Sequence, residues 1–474
     1  MNCFRREFVK GSLAALGFLA LPGGLFAAPQ GWKSSKKPNL VVGILSDTHL
    51  QSGWDGVTPH GGFPLTYVTN AMKLFRERNI DAFMHLGDAA HRGKNVEIQY
   101  HRNIFEKFFP HGKAKDGHKV EKLLVVGNHE LYGNVAGGGG AWAPNIWKDP
   151  VERAKHVLCG DLPKHWEQVW GEKYEEVWHK EVKGYHFFGR HWHEDEYKHA
   201  GEKPFADYIL SKADRFSLRG TKPFFILSHR RHHAAFCQAL KDFPNAIALF
   251  GHWHWSNADW KTIFFDADTF GGRFPNIQVG ACRMDGGNAV TPPSEVKLPE
   301  DSSSWKGDNL PSRQAMIINI YDDMVVFERH EVGEGGKLGP DWVLPLGVSS
   351  PSPFSRAELT KTVGSPEFGA KAKLETQKVS GNLRIKIPMA DGNPDSRVYA
   401  YNVVVVGDDP KARYFKNVFF SGVNSGIGHE PNKGITEVEI PTSELPAGKT
   451  LTVAVRPVSS LGTKGKAIGT VFKA

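Results

Sequence analysis

Short apolar runs, each closing on a polar residue, set the rhythm of the first half of the chain. Residues 39–45 are rich in β-branched side chains and lead to Asp47; residues 81–86 lead to Asp88; residues 122–126 lead to Asn128. Runs of this length with this composition predict buried strands. Between them, residues 65–78 place Val68, Met72 and Phe75 at helical spacing, and residues 96–109 gather Ile104, Phe105 and Phe108 on one side of a helix. The alternation predicts parallel strands covered by helices. Residues 132–185 break the pattern with four consecutive glycines (137–140) and Trp- and His-rich helical segments. This stretch is expected to be an insertion over the functional residues. Strands are predicted again over 185–188, 223–227, 246–250, 262–265, 276–279, 315–320 and 324–329, so the second half of the domain is expected to be mostly antiparallel.

A Pro- and Ser-rich passage over 340–353 marks a junction. Beyond it the pattern is purely β: residues 383–387, 398–406, 436–440 and 451–458 alternate apolar and polar positions in whole or in part, between Gly and Pro turns. That spacing predicts a small β-sandwich. The expected organisation is a signal segment (1–28), a lead-in (29–38), an α/β domain (39–345), a linker (346–364) and an all-β sandwich (365–474).

Composition narrows the picture modestly. The 474 residues are 40% hydrophobic and 23% charged, with 13 Trp and 30 Phe, enough for large cores in a water-soluble protein. The net charge of +8 is not gathered into a dense Lys/Arg block in the main body, so no stable nucleic-acid partner is expected. Of four cysteines, Cys3 falls in the signal segment; the other three, Cys159, Cys237 and Cys282, are an odd number without metal-type spacing, and no disulfide framework is expected. The N-terminus has Arg5-Arg6, Phe8 and Lys10, an apolar run over 12–21, and small residues at Ala27-Ala28. This resembles a twin-arginine export signal, with an ordinary secretory signal as the alternative. The mature protein is expected to be exported, periplasmic or secreted, with no membrane span.

The chemistry lies in five pieces, each beside a predicted strand: Asp47-Thr48-His49, Gly87-Asp88, Gly127-Asn128-His129-Glu130, His229, and Gly251-His252-Trp253-His254. They offer carboxylates, an amide oxygen and imidazoles, with no thiolate. Such a set suits Mn, Fe, Zn or Co. Two metals about 3.5–4 Å apart need a shared carboxylate, and seven donors match two metals. Residues just past strand ends converge at one edge of an α/β sheet.

These pieces resemble the calcineurin-like metallophosphoesterases over residues 39–332. The resemblance implies a four-layer α/β/β/α sandwich and two divalent metal ions. It implies that Asp47, His49 and His254 hold one metal, that Asn128, His229 and His252 hold the other, and that Asp88 bridges them. His129 corresponds to a non-ligand histidine that contacts phosphate and protonates the leaving group. Residues 87–93 are similar to the Gly-Asp-x-Val-Asp-Arg-Gly segment of protein phosphatases, which makes Arg92 a candidate phosphate ligand, with a surface arginine as the alternative. His91 stands where that segment has an acid and where purple acid phosphatases have a metal-ligating tyrosine, so a purple iron centre is not expected.

Other histidines are secondary candidates. His191, His193 and His199 are a candidate adventitious metal site, and His60 a candidate pocket residue. Arg230 and Arg231 could attract phosphate, and Trp253 and Trp255 are read as packing around the site. Leu445-Pro446-Ala447-Gly448 and the strand after it resemble the end of a fibronectin type III domain, although Leu451 stands where that family often has a tyrosine. The expected function is hydrolysis of a small phosphate ester, preferably a diester or nucleotide. The alternatives are a phosphomonoesterase or protein phosphatase, and, in another class, an inactive scaffold touching a surface, glycan or partner through its C-terminal domain.

Overall fold

The structure, a computed structural model, describes residues 37–52, 63–132, 162–192, 196–199, 201–254, 257, 260–264, 273–283, 312–333, 335–347, 352, 354–391, 398–409, 411, 413–419, 436–459 and 461–473. The first part of the chain runs β1 (Leu40–Leu45), α1 (Phe63–Glu77), β2 (Ala82–Leu86), α2 (Asn95–Phe108), β3 (Glu121–Val125), α3 (Asn128–Tyr132), α4 (Leu162–Trp170), β4 (Val177–Val182) and β5 (Tyr185–Arg190). It continues with α5 (Glu202–Leu210), β6 (Phe224–Leu227), α6 (Ala234–Ala239), β7 (Ala246–Phe250), β8 (Ile263–Phe264), β9 (Asn276–Gln278), β10 (Cys282–Arg283), β11 (Ser312–Ile320), β12 (Met324–Glu331) and β13 (Trp342–Pro345).

Two mixed sheets result. The first has the order β13-β12-β11-β1-β2-β3, with β10 also on β11; the second has the order β4-β5-β6-β7-β9-β8. Each central strand is apolar on both faces because each is covered on both sides. Val42, Ile44, Met84 and Leu86 point from the first sheet into a shared core with Phe187, Phe225, Leu227 and Leu249 of the second. Phe83, Leu45 and Leu124 face the other way, onto Phe75 of α1 and Ile98 and Phe105 of α2. Phe188, Phe224 and Ile226 of the second sheet meet Phe205 of α5 and Phe236 of α6. This is a four-layer α/β/β/α arrangement. Each such fully buried large side chain contributes about 1.5–3 kcal/mol, which makes the strand frame the rigid part of the molecule.

Several expectations change. The second half is mostly antiparallel, as expected, in β4 with β5, β8 with β9, β11 with β1 and the pairs among β10 to β13, but β5, β6, β7 and β9 form a parallel run within it. The apolar runs look the same either way, and direction is set by crossovers through α5 and α6. The described part of 132–185 belongs to the scaffold. Trp166 and Trp170 of α4 pack into the cluster under α1 and α2, and β4 is an edge strand. The glycine run lies outside the described residues. Within the stretch expected as a linker, 346–364, helix α7 (Arg356–Thr362) starts at Ser355, whose hydroxyl accepts from the Glu358 N–H. Phe354, Leu359 and Val363 enter the inter-sheet core, with Phe354 against Trp260 and Phe327.

The C-terminal part comprises β14 (Glu367–Phe368), β15 (Glu375–Val379), β16 (Asn382–Ile387), β17 (Ala390–Asp391), β18 (Val398–Val406), β19 (Arg413–Phe419), β20 (Thr436–Pro441), β21 (Thr450–Ser459) and β22 (Ile468–Lys473). The sheets β15-β16-β20 and β19-β18-β21-β22 are antiparallel and enclose Leu383, Ile385, Tyr401, Val403, Val405, Ile440, Val453 and Val455. The buried Tyr401 hydroxyl accepts from the Ala390 N–H. None of the described helices is long and apolar enough to cross a membrane.

Candidate metal centre

The residues after β1, β2, β3, β6 and β7 meet at the carboxyl edge shared by the two sheets. Five of them sit in the left-handed backbone region: Asp47 (φ 51°), His49 (φ 45°), Asp88 (φ 56°), His252 (φ 72°) and His254 (φ 54°). Outside glycine this region is sparsely occupied and costs about 1–2 kcal/mol per residue. Strain concentrated in this way marks a functional site. It turns each chain sharply off its strand, so the next side chain points back over the sheet edge. Gly87 (φ 92°) makes the turn before Asp88 possible, since a Cβ there would lie 2.5 Å from His229 Nδ1.

The donor atoms converge. His254 Nε2 is 3.0 Å from Asp47 Oδ1 and 3.3 Å from His49 Nε2, and His49 Nε2 is 3.6 Å from Asp88 Oδ2. On the other side of Asp88, Oδ2 is 3.1 Å from His229 Nε2; Asn128 Oδ1 is 3.1 Å from both His229 Nε2 and His252 Nδ1. Asp47, His49, Asp88 and His254 form one group of donors within 4.8 Å of one another; Asp88, His229 and His252 form a second. Asp88 is the member they share.

The surrounding hydrogen bonds aim these atoms. Asp47 Oδ2 accepts from Ser46 Oγ (2.6 Å), the His252 N–H is shared between Oδ2 (3.0 Å) and Oδ1 (3.1 Å), and Oδ1 also faces His254. Asp88 Oδ1 accepts from the His129 N–H (2.9 Å), leaving Oδ2 between His49 and His229. His229 Nδ1 donates to the Leu86 carbonyl (2.6 Å), which fixes the tautomer with a lone pair on Nε2. The converging atoms are therefore lone-pair donors, and they lie about as far apart as ligands around a small divalent ion with bonds of about 2.0–2.2 Å. The residues fit two divalent metals.

Electrostatics agree. Burial disfavours charge on Asp47, but the His254 and His229 imidazolium charges outweigh it and hold the carboxyl below its usual range. Burial likewise works against Asp88, and His229 and His129 push it well below the carboxylate range. Burial opposes a charge on His229, yet the Asp88 and Asp47 carboxylates raise it to about 10. Without a cation that positive charge is a proton on His229 Nε2, and a metal would displace it and take the lone pair.

His129 reaches the same space without joining either group. Its Nδ1 donates to the His91 carbonyl (2.6 Å), and its Nε2 lies 3.9 Å from Asp88 Oδ2. The His91 ring stands beside it, at 5.6 Å between centroids. The Arg92 backbone N–H is tied to Glu97 Oε2 (2.7 Å), but its half-buried guanidinium makes no hydrogen bond or ion pair among the described residues. Trp253 packs on Phe250 and Phe264, as expected, and Arg231 lies over Phe264 at 4.4 Å. His191 is buried against Tyr174 and hydrogen-bonded by the Val126 N–H, so it is structural and takes no part in an adventitious site with His199. His60, His193 and Trp255 lie outside the described residues.

Sequence reasoning assigned no role to Glu130, which anchors the centre. Its Oε2 accepts from the N–H groups of Asp88 (3.0 Å) and Gly127 (2.7 Å), and its Oε1 from that of Ala90 (2.8 Å). Nor did it find Ser46, or Trp192, whose ring lies 5.5 Å from His229 and 5.2 Å from His252. Glu130 stood inside a quoted motif, so the signal was present; Ser46 and Trp192 carry none.

A model of the calcineurin-like phosphoesterase family matches residues 40–256. A comparison with the curated proteins gives no match. Among solved structures, the chain is similar to a dimetal phosphatase from Danio rerio, with 12% identity and a TM-score of 0.36, covering 65% of this chain and 99% of that one. It is also similar to a purple acid phosphatase from yellow lupin (Lupinus luteus) seeds, with 14% identity and a TM-score of 0.37, covering 65% of this chain and 54% of that one. An archaeal phosphodiesterase is similar at 14% identity and a TM-score of 0.23, covering 64% of this chain and 100% of that one. With the five-piece donor set assembled at the edge of two packed sheets, residues 40–256 form a calcineurin-like phosphoesterase domain, that of a metal-dependent phosphoric ester hydrolase.

Proposed function

We propose that the chain is an exported hydrolase of small phosphate esters, with diesters or nucleotides preferred, and that the donors divide as the two groups suggest. Asp47, His49 and His254 would hold one metal, Asn128, His229 and His252 would hold the other, and Asp88 would be shared by both. The observation that carries the reading is Asp88 Oδ2, directed at both groups while Oδ1 is tied to the backbone. When bound, the two cations supply Lewis acidity that polarises the phosphate and acidifies water.

The chain's own residues do the rest. Asn128 and the imidazoles would fix where the metals sit. His129, oriented by the His91 carbonyl, presents Nε2 to the open side of Asp88 and carries a proton there to the leaving alkoxide. That proton matters most for alkyl diesters, whose leaving groups are poor, which favours the diester reading. Arg92, on the loop after Asp88, has its backbone held by Glu97 and its guanidinium available to grip a phosphate.

Export rests on the twin-arginine-like segment at Arg5-Arg6. Replacing both with Lys should block export, and unchanged secretion would remove that part of the reading. The C-terminal sheets, three strands against four, support a fibronectin type III-like spacer; no described residue argues for a glycan.

The test is a panel assay. Protein loaded with Mn, Fe, Zn or Co is offered bis-p-nitrophenyl phosphate, p-nitrophenyl phosphate and cyclic nucleotides, with Asp88→Asn as control. Turnover that needs metal and Asp88, and is faster on the diesters, is expected. No metal-dependent turnover on any of them would sink the reading.

A further inference from the structure

A second cluster of metal-binding side chains lies outside the centre described above. His199 follows a short turn (Glu196–Lys198), Glu202 opens α5, and His233 precedes α6. Glu202 Oε1 is 3.0 Å from His233 Nδ1 and 3.4 Å from His199 Nδ1, and the two rings stand 3.8 Å apart between centroids. The three residues offer donor atoms that all lie within 4.8 Å of one another.

Glu202 is what makes this more than a surface ion pair. It is 2% exposed, and its Oε2 is buried with no hydrogen-bond partner. The Nδ1 of His199 is also shielded from water and makes no hydrogen bond. A buried carboxylate oxygen left unsatisfied is destabilising unless something supplies a partner. The neighbouring guanidinium of Arg190 does not answer that charge, because it is committed to Glu196. Two imidazole nitrogens and one carboxylate form a common zinc donor set, with water completing the tetrahedron. Ligands about 2.0–2.1 Å from a tetrahedral ion lie about 3.3 Å apart, close to the 3.0 and 3.4 Å seen here.

We infer that His199, Glu202 and His233 form a third metal site, suited to zinc and separate from the binuclear pair. Its role is that of a staple. His233 lies four residues beyond His229, and the His233 N–H already reaches Glu202 Oε1 at 3.1 Å. A cation here ties the start of α5 to the segment that leaves His229, and so steadies a residue of the binuclear centre.

The experiment counts zinc. Wild type, His199→Ala, His199→Gln and His233→Gln are loaded with Zn²⁺, passed through a desalting column and analysed by elemental mass spectrometry, with circular dichroism as a check on folding. His199 is partly exposed, and its Gln variant keeps polarity and approximate size, so a folding defect is not expected there. Each variant should retain one zinc fewer per chain than wild type, and Asp88→Asn should lose zinc from the binuclear pair while keeping this one. Equal zinc in wild type and the His199 variants, or loss of the whole complement in them, would overturn the inference. The count does not depend on turnover, so a protein that hydrolyses none of the offered esters still tests it.

Discussion

Glu130 offers the sharpest test of how the centre is held. Its carboxylate is buried and satisfies three backbone N–H groups, two of them on Asp88 and Gly127, next to or part of the ligand-bearing turns. Replacing it with Ala strands all three donors in a buried region. At about 1–3 kcal/mol for each buried unsatisfied group, with some relaxation, Glu130→Ala should lose about 3–6 kcal/mol of unfolding free energy. Glu130→Gln is more informative because it is nearly isosteric. Its amide oxygen can take over the pair of bonds at Oε2, but its NH₂ then faces the Ala90 N–H, donor against donor. One bond is lost rather than three, so a cost of about 1–3 kcal/mol is expected. Urea unfolding followed by tryptophan fluorescence gives the free energies, and metal analysis of the same samples reports whether the Asp88 turn has shifted. Both variants should retain less metal, Ala less than Gln. Equal damage from the two substitutions, or an Ala variant with wild-type stability and full metal content, would refute the argument.

Three further outcomes follow from the same structure. His129→Asn should lower kcat by about 10²–10⁴ on alkyl diesters and by much less on p-nitrophenyl esters, with metal content unchanged; an equal loss on both substrate types would remove His129 as proton donor. His101 and His191 are each held at about 3, by burial and, for His191, also by Lys180. They stay neutral in the folded chain while the unfolded chain takes up protons near pH 6.5, so stability is fully present above 6.5 and falls as pH drops from there toward 3. The loss should be about 1 kcal/mol for each between pH 7 and 5.5, and a urea midpoint that does not move over that interval would contradict it. Arg190→Met leaves the Glu196 carboxylate buried alone and should cost about 3–5 kcal/mol, while Arg190→Met with Glu196→Leu should recover most of it; thermal melts of the two proteins decide the matter.

The site was legible in the sequence because its donors sit at strand ends, and strand ends are marked by the change from apolar to polar residues. Asp47, Asp88, Asn128 and the two histidines of the Gly-His-Trp-His piece were all found this way, and the structure brings them together. The strands themselves were found within a residue or two over β1 to β3. Direction was not legible for β9, which pairs in parallel with β7, because an apolar triplet carries no mark of which way its neighbour runs. β4 was missed because polar residues interrupt both its faces: Lys180 shares one with the buried Trp178 and Val182, and His179 and Glu181 lie on the other. Ser46 was hidden for a different reason. Its importance comes from where its hydroxyl points, and a serine before an aspartate says nothing about that. The segment around Phe354 was read as a linker from its prolines and serines, although Phe354, Leu359 and Val363 root it in the core.

The five left-handed residues at the centre bear on the alternative of a retired scaffold. A glycine at any of them relieves the backbone and removes a metal ligand in the same step, although at Asp47 and Asp88 it also strands the donors of Ser46, His252 and His129. A chain under no demand for catalysis drifts downhill along that route at the three histidines. The conformational debt at Asp47, His49, Asp88, His252 and His254 is therefore a record of use. Stabilising this protein by design would begin at His49, His252 and His254, and each success there would remove the chemistry.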